Sequence, residues 1–361
     1  VAEPIGQDRS AIMSAMFTPS LQPVFSAARI RAVTITGALL LAALASILLA
    51  CTVGSVGVPL TELAAGFVEI LRGKPSTMAA VLLELRLGRA LAAFATGAAL
   101  ALAGVMMQTL LRNPLADPYV LGVSGGASVG ALASMLALSA AWAVDAGAFA
   151  GAMVVALLLY LLARRDLRGS TAAEGRASLL LLTGVILASG CSALVTLMLS
   201  VAPDTSLRGM VFWLVGDLSG AQTSWLPWVV LVAALLFAMR AARSINVLAL
   251  HDEAAATLGV RVGVLRKGLF MAAALLTASA VTCAGSIGFV GLIVPHGCRF
   301  AFGADHRILL PAATLVGGTF LVLADTLARS ILAPQQLPVG VVTALIGVPV
   351  FLFQLHQLHR K

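Results

Sequence analysis

Apolar residues come in long blocks along this chain, and polar residues are confined to the gaps between them. The blocks fall near 32–50, 90–111, 119–140, 143–163, 178–202, 225–239, 268–286, 287–302, 308–328 and 337–355. Most approach the roughly 20 residues that carry a helix across a hydrocarbon core about 30 Å thick. Lipid offers no hydrogen-bond partners, so such blocks must satisfy their own backbone groups as helices. The pattern predicts an all-α polytopic membrane protein with about ten transmembrane helices. The blocks at 225–239 and 287–302 are the shortest, and the second is rich in glycine.

Ahead of the first block, residues 1–31 are mixed and contain Pro4, Pro19 and Pro23. They read as a cytoplasmic N-terminal tail, followed by one membrane domain over 32–356. The first apolar block comes late and is long enough to span, unlike a cleaved leader.

Composition agrees with the pattern. The chain is 60% hydrophobic and 11% charged, where a soluble domain is about a quarter charged. Mean hydropathy is +1.03. The net charge of +8 would suggest nucleic acid as a partner of a soluble protein. Here the charges lie between apolar blocks and follow the positive-inside rule, so no nucleic acid is implied. With an inner N-terminus and ten spans, 17 of the 23 Lys and Arg residues fall on the inner side and 6 on the outer. The C-terminus is then inner as well. The four cysteines show no CxxC spacing and read as reduced, buried small hydrophobes.

The gaps carry the local signals. In PLTELAAGFVEILR, the residues Leu60, Leu63, Ala64, Phe67, Val68 and Leu71 form one helical stripe. It predicts a short outer helix, packed on the bundle or touching a partner. After the second block, Asn113 precedes Pro114 and Asp117 precedes Pro118. A residue before proline is pushed out of the α region, so the helix should end at Arg112, where a cation suits the C-terminus. Asp117 can cap the next helix, with Pro118 at its first position. Gly122, Gly126 and Gly130 make a doubled GxxxG, a close-packing signal. At an offset of 181 residues Ala103-Gly104, Pro114 and Gly122 match Ala284-Gly285, Pro295 and Gly303, which suggests an inverted repeat.

Further on, PDTSLRGMVFWLVGDLSG places Arg208, Phe212 and Trp213 in an outer segment, as an interfacial aromatic belt or a helix lining a substrate entrance. In the inner segment 240–267, Asp252 and Glu253 open a helix-prone run through Ala256 and Leu258 that Gly259 stops. That ordered surface segment suits contact with a cytosolic partner. GSIGFVGLIVPHGCRF breaks at Pro295 beside a structural His296, and Asp305–Arg307 makes a tight inner turn. Asp325 and Arg329 share a helix face at i, i+4.

Some motifs are missing. No charged residue stands mid-span, which disfavours a proton-coupled carrier or voltage sensor. No GxxxxGK[ST] phosphate loop occurs, since Gly73-Lys74 is followed by Pro75, so any ATP must be hydrolysed by another chain. HExxH and GxSxG are also missing, and the five histidines lack metal spacing.

Three features together carry a resemblance. They are RLGRALAAFATGAALALAGVMMQTLLRNPLADPYVLGVSGGASVGA, GSIGFVGLIVPH with DHR after it, and LADTLAR with LPVGVVTALIGVPVF. From about residue 30 to 356 the chain resembles the iron-siderophore, haem and cobalamin permeases of type II ABC importers. The resemblance implies the type II permease fold in a bacterial inner membrane. It also implies a homodimer, two cytosolic ABC ATPase subunits that use ATP and Mg, and a periplasmic substrate-binding protein. No cofactor would be bound by this chain. By motif, Arg86, Arg89 and Arg329 match arginines that dock the binding protein. Asn113 and Leu115, with Ala177 and Ser178, match a cytoplasmic gate, where relatives can carry a hydroxyl in place of Ala177. Asp252, Glu253, Ala256, Leu258 and Gly259 match the contact with the ATPase. Arg208, Phe212 and Trp213 suit a large planar ligand such as haem, or belong to scaffold shared with siderophore and cobalamin importers. A secondary carrier or channel without an ATPase is the alternative class.

Overall fold

The structure, a computed structural model, describes residues 21–54, 57, 59–73, 76–138, 140–164, 173–220, 225–250 and 252–359. In chain order the helices are α1 Leu21–Thr52, α2 Leu60–Leu71, α3 Met78–Leu111, α4 Val123–Ala137, α5 Ala141–Ala163, α6 Ala173–Val201 and α7 Asp204–Val215. They continue with α8 Trp225–Leu248, α9 Asp252–Thr257, α10 Val262–Ala284, α11 Val290–Phe302, α12 His306–Ala328 and α13 Val339–His359. A 3₁₀ turn, Pro118–Leu121, precedes α4.

Each predicted apolar block is a helix. Seven of the described helices are long and apolar enough to cross a membrane, and Val123–Ala137, Val290–Phe302 and Val339–Gln354 are shorter apolar helices. The boundaries moved where charge was read as loop. α3 starts at Met78, where Thr77 Oγ1 accepts from Ala80 N at 3.2 Å, so Arg86 and Arg89 lie on the helix and not ahead of it. α10 starts at Val262 and carries Arg266 and Lys267. α1 starts at Leu21 and runs through the expected tail boundary at 31, while residues 1–20 lie outside the described residues.

α3 is the centre of the bundle. Every residue from Ala92 to Leu111 is buried. The helix can be enclosed on all sides because nine of these 20 residues are Ala or Gly, which let neighbouring backbones approach. A Cβ on Gly97 would lie 2.3 Å from Gly317 O of α12, and one on Gly104 would lie 2.0 Å from Gly291 O of α11. The predicted glycine ladder does the same for α4. Gly126 and Gly130 meet Gly151 and Gly147 of α5, a second GxxxG that the chain supplies to match the first.

Two expectations hold only in part. The 181-residue offset carries α3 onto α10 and α4 onto α12, but it equates Pro114, in the turn after α3, with Pro295, inside α11. The apolar stripe of α2 does not face inward as a whole. Leu63 is buried, but Phe67, Val68 and Leu71 are exposed. The side of α2 that packs on α3 is the one with Leu63 and Gly66, both buried, and a Cβ on Gly66 would come within 3.0 Å of Ala80 backbone atoms. Glu69 completes this junction by accepting from Ser76 N at 3.0 Å and Thr77 N at 3.1 Å. Those backbone bonds hold its carboxyl below the ordinary range.

Gly130→Ala is expected to destabilise the detergent-solubilised protein by on the order of 1–3 kcal/mol, the usual effect of overpacking. The added Cβ would stand 1.9 Å from Gly147 O. Gly37→Ala, with nothing within 4 Å of the added Cβ, is expected to leave the thermal midpoint unchanged or slightly raised. Equal midpoints for the two variants would contradict the packing.

Candidate functional site at the two ends of the central helix

At 1.5 Å per residue, Arg86 and Arg112 stand about 39 Å apart along α3. The sequence-predicted residues gather near these two ends.

At the Arg86 end, two arginines converge on the close of α1 and a third pairs with an aspartate of α12. Arg86 is buried, and its Nη1 donates to Cys51 O at 3.1 Å and Thr52 O at 3.3 Å. Arg329, also buried, donates to Ala50 O. The last carbonyls of a helix have no partner within it, and a cation there also meets the negative end of the helix dipole. Arg89 makes a two-pronged pair with Asp325, with Nε to Oδ2 at 2.9 Å and Nη2 to Oδ1 at 2.8 Å. Its Nη1 donates to Gln336 Oε1 at 2.7 Å. Asp325 and Arg329 follow each other on α12 as expected, but the Asp325 carboxylate pairs with Arg89, and Arg329 N donates to Asp325 O at 3.1 Å. The structure brings Arg86, Arg89 and Arg329 together, with their guanidinium groups committed to internal bonds.

A cavity of about 600 Å³ is lined by Arg208, Phe212 and Trp213 of α7, by Asp217 and by Asp145 of α5. The Arg208 guanidinium lies 5.4 Å from the centroid of the Phe212 ring, a cation–π arrangement. The cavity is flanked by non-helical backbone. Gly216 lies against Ser286 and Ile287, and Asp217 N donates to Ala284 O at 3.0 Å. Irregular backbone within a membrane bundle is tolerated where it is buried in protein or lines a cavity.

At the Arg112 end, the last turn of α3 binds in several directions. Gln108 Nε2 donates to Leu292 O at 3.2 Å, and Arg299 Nη1 donates to Gln108 Oε1 at 3.0 Å. Thr109 Oγ1 is 2.9 Å from His306 Nε2, whose Nδ1 is 2.7 Å from Asn246 Oδ1. The turn that follows matches expectation. Asn113 Oδ1 accepts from Leu115 N at 2.9 Å, and Asp117 caps the 3₁₀ turn by accepting from Tyr119 N at 2.7 Å. Burial pushes the Asp117 carboxyl up to about 6, against the lowering effect of that bond. Tyr119 then reaches across the bundle, its OH accepting from Ile287 N at 3.0 Å, beside a Ser124–Ser286 hydroxyl contact of 2.8 Å. Ala177 and Ser178 fall in the first turns of α6, and their side chains lie outside the described residues.

α9 has two faces. Asp252 and Ala255 are buried, whereas Ala256, Leu258 and Gly259 are exposed, Leu258 by 69%. The side chain of Glu253 lies outside the described residues. Gly259 ends the helix as expected, with φ +79 and the paired bonds Gly259 N to Ala256 O and Val260 N to Ala255 O. Asp252 points inward to Arg112 and to Arg266, the latter at 2.6 Å. Sequence reasoning missed Arg266, Gln108, Tyr119 and Ser286 as partners. One signal was available: Asp252 is an acid among the basic inner segments, where a buried partner is the natural use for it.

Among the described residues no group of three or more His, Cys, Asp or Glu side chains is placed to hold a metal ion. A bundle of apolar helices braced along one buried helix, with a cavity lined by charged and aromatic residues and a bonded turn, fits a membrane transport subunit. The chain belongs to the FecCD transport family, whose model matches residues 38–357. It is the permease subunit of a type II ABC importer, and ATP is hydrolysed by a separate subunit. The chain is 42% identical over 314 residues to the cobalamin import system permease protein BtuC of Halobacterium salinarum, covering 85% of this chain and 82% of that protein. It is 42% identical over 277 residues to the vitamin B12 import system permease protein BtuC of Salmonella paratyphi A, covering 75% and 82%. Among solved structures, an inward-facing conformation of an ABC transporter assigned to the metal-chelate type matches with a TM-score of 0.75 at 28% identity, over 90% of this chain and 99% of that one.

Asp325→Asn leaves the Arg89 guanidinium without its counter-charge in a site where the pair is 12% and 3% exposed. Removing one partner of a buried pair is expected to destabilise by on the order of 3 kcal/mol. Thermal unfolding in detergent checks this, and an unchanged midpoint would show that the pair does not brace α3 against α12.

Proposed function

We propose that this chain imports a cobalamin-class corrinoid across an inner membrane, as a homodimer with two cytosolic ABC ATPase subunits and a periplasmic substrate-binding protein. The single observation that carries the substrate is the 42% identity to permeases named for cobalamin and vitamin B12 import, over four-fifths of their length. The metal-chelate transporter that matches in fold favours an iron chelate such as haem or a ferric siderophore as the second reading.

The parts of the bundle support a division of labour. The excess of Lys and Arg near Arg112, α9 and the chain ends supports a cytosolic Arg112 end with both termini inside. The exposed face of α9, with Ala256, Leu258 and Gly259, suits an ATPase contact, while Asp252 anchors it and Glu253 opens it. ATP and Mg act in that partner. The opposite end, with Arg86, Arg89 and Arg329, receives the binding protein, and the cavity beside Arg208, Phe212 and Trp213 takes the released solute. Its aromatic wall and charged groups suit a large ligand that is part flat ring and part polar. Asn113 and Leu115 close the inner end against Ala177 and Ser178 at the start of α6. Nucleotide-driven movement of α9 then opens and closes that end.

Reconstitution with the ATPase and binding protein tests the reading. ATP-dependent uptake of labelled cyanocobalamin into proteoliposomes is expected. Uptake of a ferric siderophore or haem without cobalamin would replace the substrate, and uptake without ATPase subunits would replace the class. Arg86→Glu with Arg89→Glu is expected to weaken capture of the binding protein in a pull-down. Because both arginines also hold the bundle together, co-purification of the ATPase subunits serves as the control for the fold. Undiminished capture would remove these arginines from docking.

A further inference from the structure

Arg112 holds a backbone conformation that its residue type disfavours, with φ 49 and ψ 33. In this left-handed region glycine is the default, because in other L residues the Cβ crowds the following carbonyl oxygen. Two bonds close α3 around it, from Arg112 N to Thr109 O at 3.3 Å and from Asn113 N to Gln108 O at 3.1 Å. Glycine would serve this turn better, as Gly259 does after α9. What glycine lacks is a side chain that can reach Asp252.

Asp252 is buried, and its two oxygens go to different elements. Oδ1 accepts from Arg112 Nη2, and Oδ2 accepts from Arg266 Nη2 at 2.6 Å. One carboxylate therefore joins the end of α3, the first residue of α9 and the second turn of α10. With six residues, α9 is too short to hold itself as a helix. Its placement depends on such anchors.

Both arms lead to the same place. Beyond Arg112, the turn runs through Asn113 and Asp117 to Tyr119, whose OH holds Ile287 N at 3.0 Å. Pro118 lies against Gly291 in the same region, where an added Cβ would come within 2.7 Å of it. Beyond Arg266, α10 runs to Gly285 and so into Ile287. Asp252 and Ile287 thus close a loop of bonded backbone, with the Asn113–Pro114 turn in one limb. Among the described residues the other non-glycine with positive φ, Phe289 with φ 71, sits just past the far closure. Strain of this kind persists only where surrounding bonds determine it.

We infer that Asp252 is a positioning residue that makes α9 and the Asn113–Pro114 turn move as one body, through the arm of Arg112. A displacement of α9 by a cytosolic partner then reaches the turn without deforming α3 above it. The inference rests on the transporter reading given above.

The test uses the complete transporter in proteoliposomes and reads ATP hydrolysed per labelled cyanocobalamin taken up. Arg112→Gly removes the arm and one partner of buried Asp252 yet gives the turn its preferred residue, so a purely structural role predicts a shifted thermal midpoint with a wild-type ratio in the complex that assembles. Uncoupling predicts a ratio raised by roughly fivefold or more, within the range of coupling energies for bonded groups, with the ATPase subunits still co-purifying. Asp252→Asn keeps the size and loses the charge, and is expected to raise the ratio similarly. The double variant is expected to be no worse than the worse single. Arg112→Lys retains a cation and is expected to recover part of the ratio. A wild-type ratio in Arg112→Gly overturns the inference, as does a parallel fall of uptake and hydrolysis. Multiplying effects in the double variant overturn it too. Should Asp252→Asn fail to assemble, Arg112→Gly and Arg112→Lys still decide. Absence of ATP-dependent uptake by the wild-type complex is the separate failure of the transporter reading.

Discussion

One helix enclosed on every side by its neighbours is the constraint on which this bundle depends. α3 is buried from Ala92 to Leu111. Apolar burial cannot draw helices together in lipid as it does in water, so van der Waals packing of small side chains must do so. The glycines at 97 and 104 of α3 bring it against Gly317 and Gly291, and the glycines of α4 and α5 repeat the device at the side. A central helix so tightly held serves as a fixed rod, and the polar work is moved to its ends.

The two ends solve the same problem with different partners. Helix termini leave backbone groups that the bilayer will not satisfy. At one end Arg86 and Arg329 cap the last carbonyls of α1, and Arg89 spends its charge on Asp325. At the other end the close of α3 is bonded outward by Gln108, Thr109 and Arg112. The first arrangement joins three helices into a cap. The second joins a short surface helix to a turn, which makes it the end through which a push from outside can be passed on.

The spans, the capped turn at Asp117 and the stop at Gly259 were legible in the sequence because each rests on local chemistry. Hydropathy marks a span, proline excludes the α region, and glycine takes a positive φ. The partners of charged residues were not legible in this way. Arg86 and Arg89 read as loop because a charge ends an apolar run, yet both are helical because carbonyls and a carboxylate more than 30 residues away receive them. Asp325 had Arg329 four residues on, but Arg89 offers a two-pronged fit from another helix, and geometry outweighs sequence spacing. α2 illustrates the same limit. Its stripe was real, but the side that packs is the one with Leu63 and Gly66.

A single account joins these features. On the proposed reading, rigid α3 separates an outer cap and cavity from an inner turn that moves with α9. Spin labels at Leu115, Leu258 and Met78, all exposed, test it most directly in the assembled transporter. On adding ATP, the separation between Leu115 and Leu258 is predicted to stay constant, while the distance of each from Met78 changes. A nucleotide-dependent change between Leu115 and Leu258, with Leu115 fixed relative to Met78, would contradict the account.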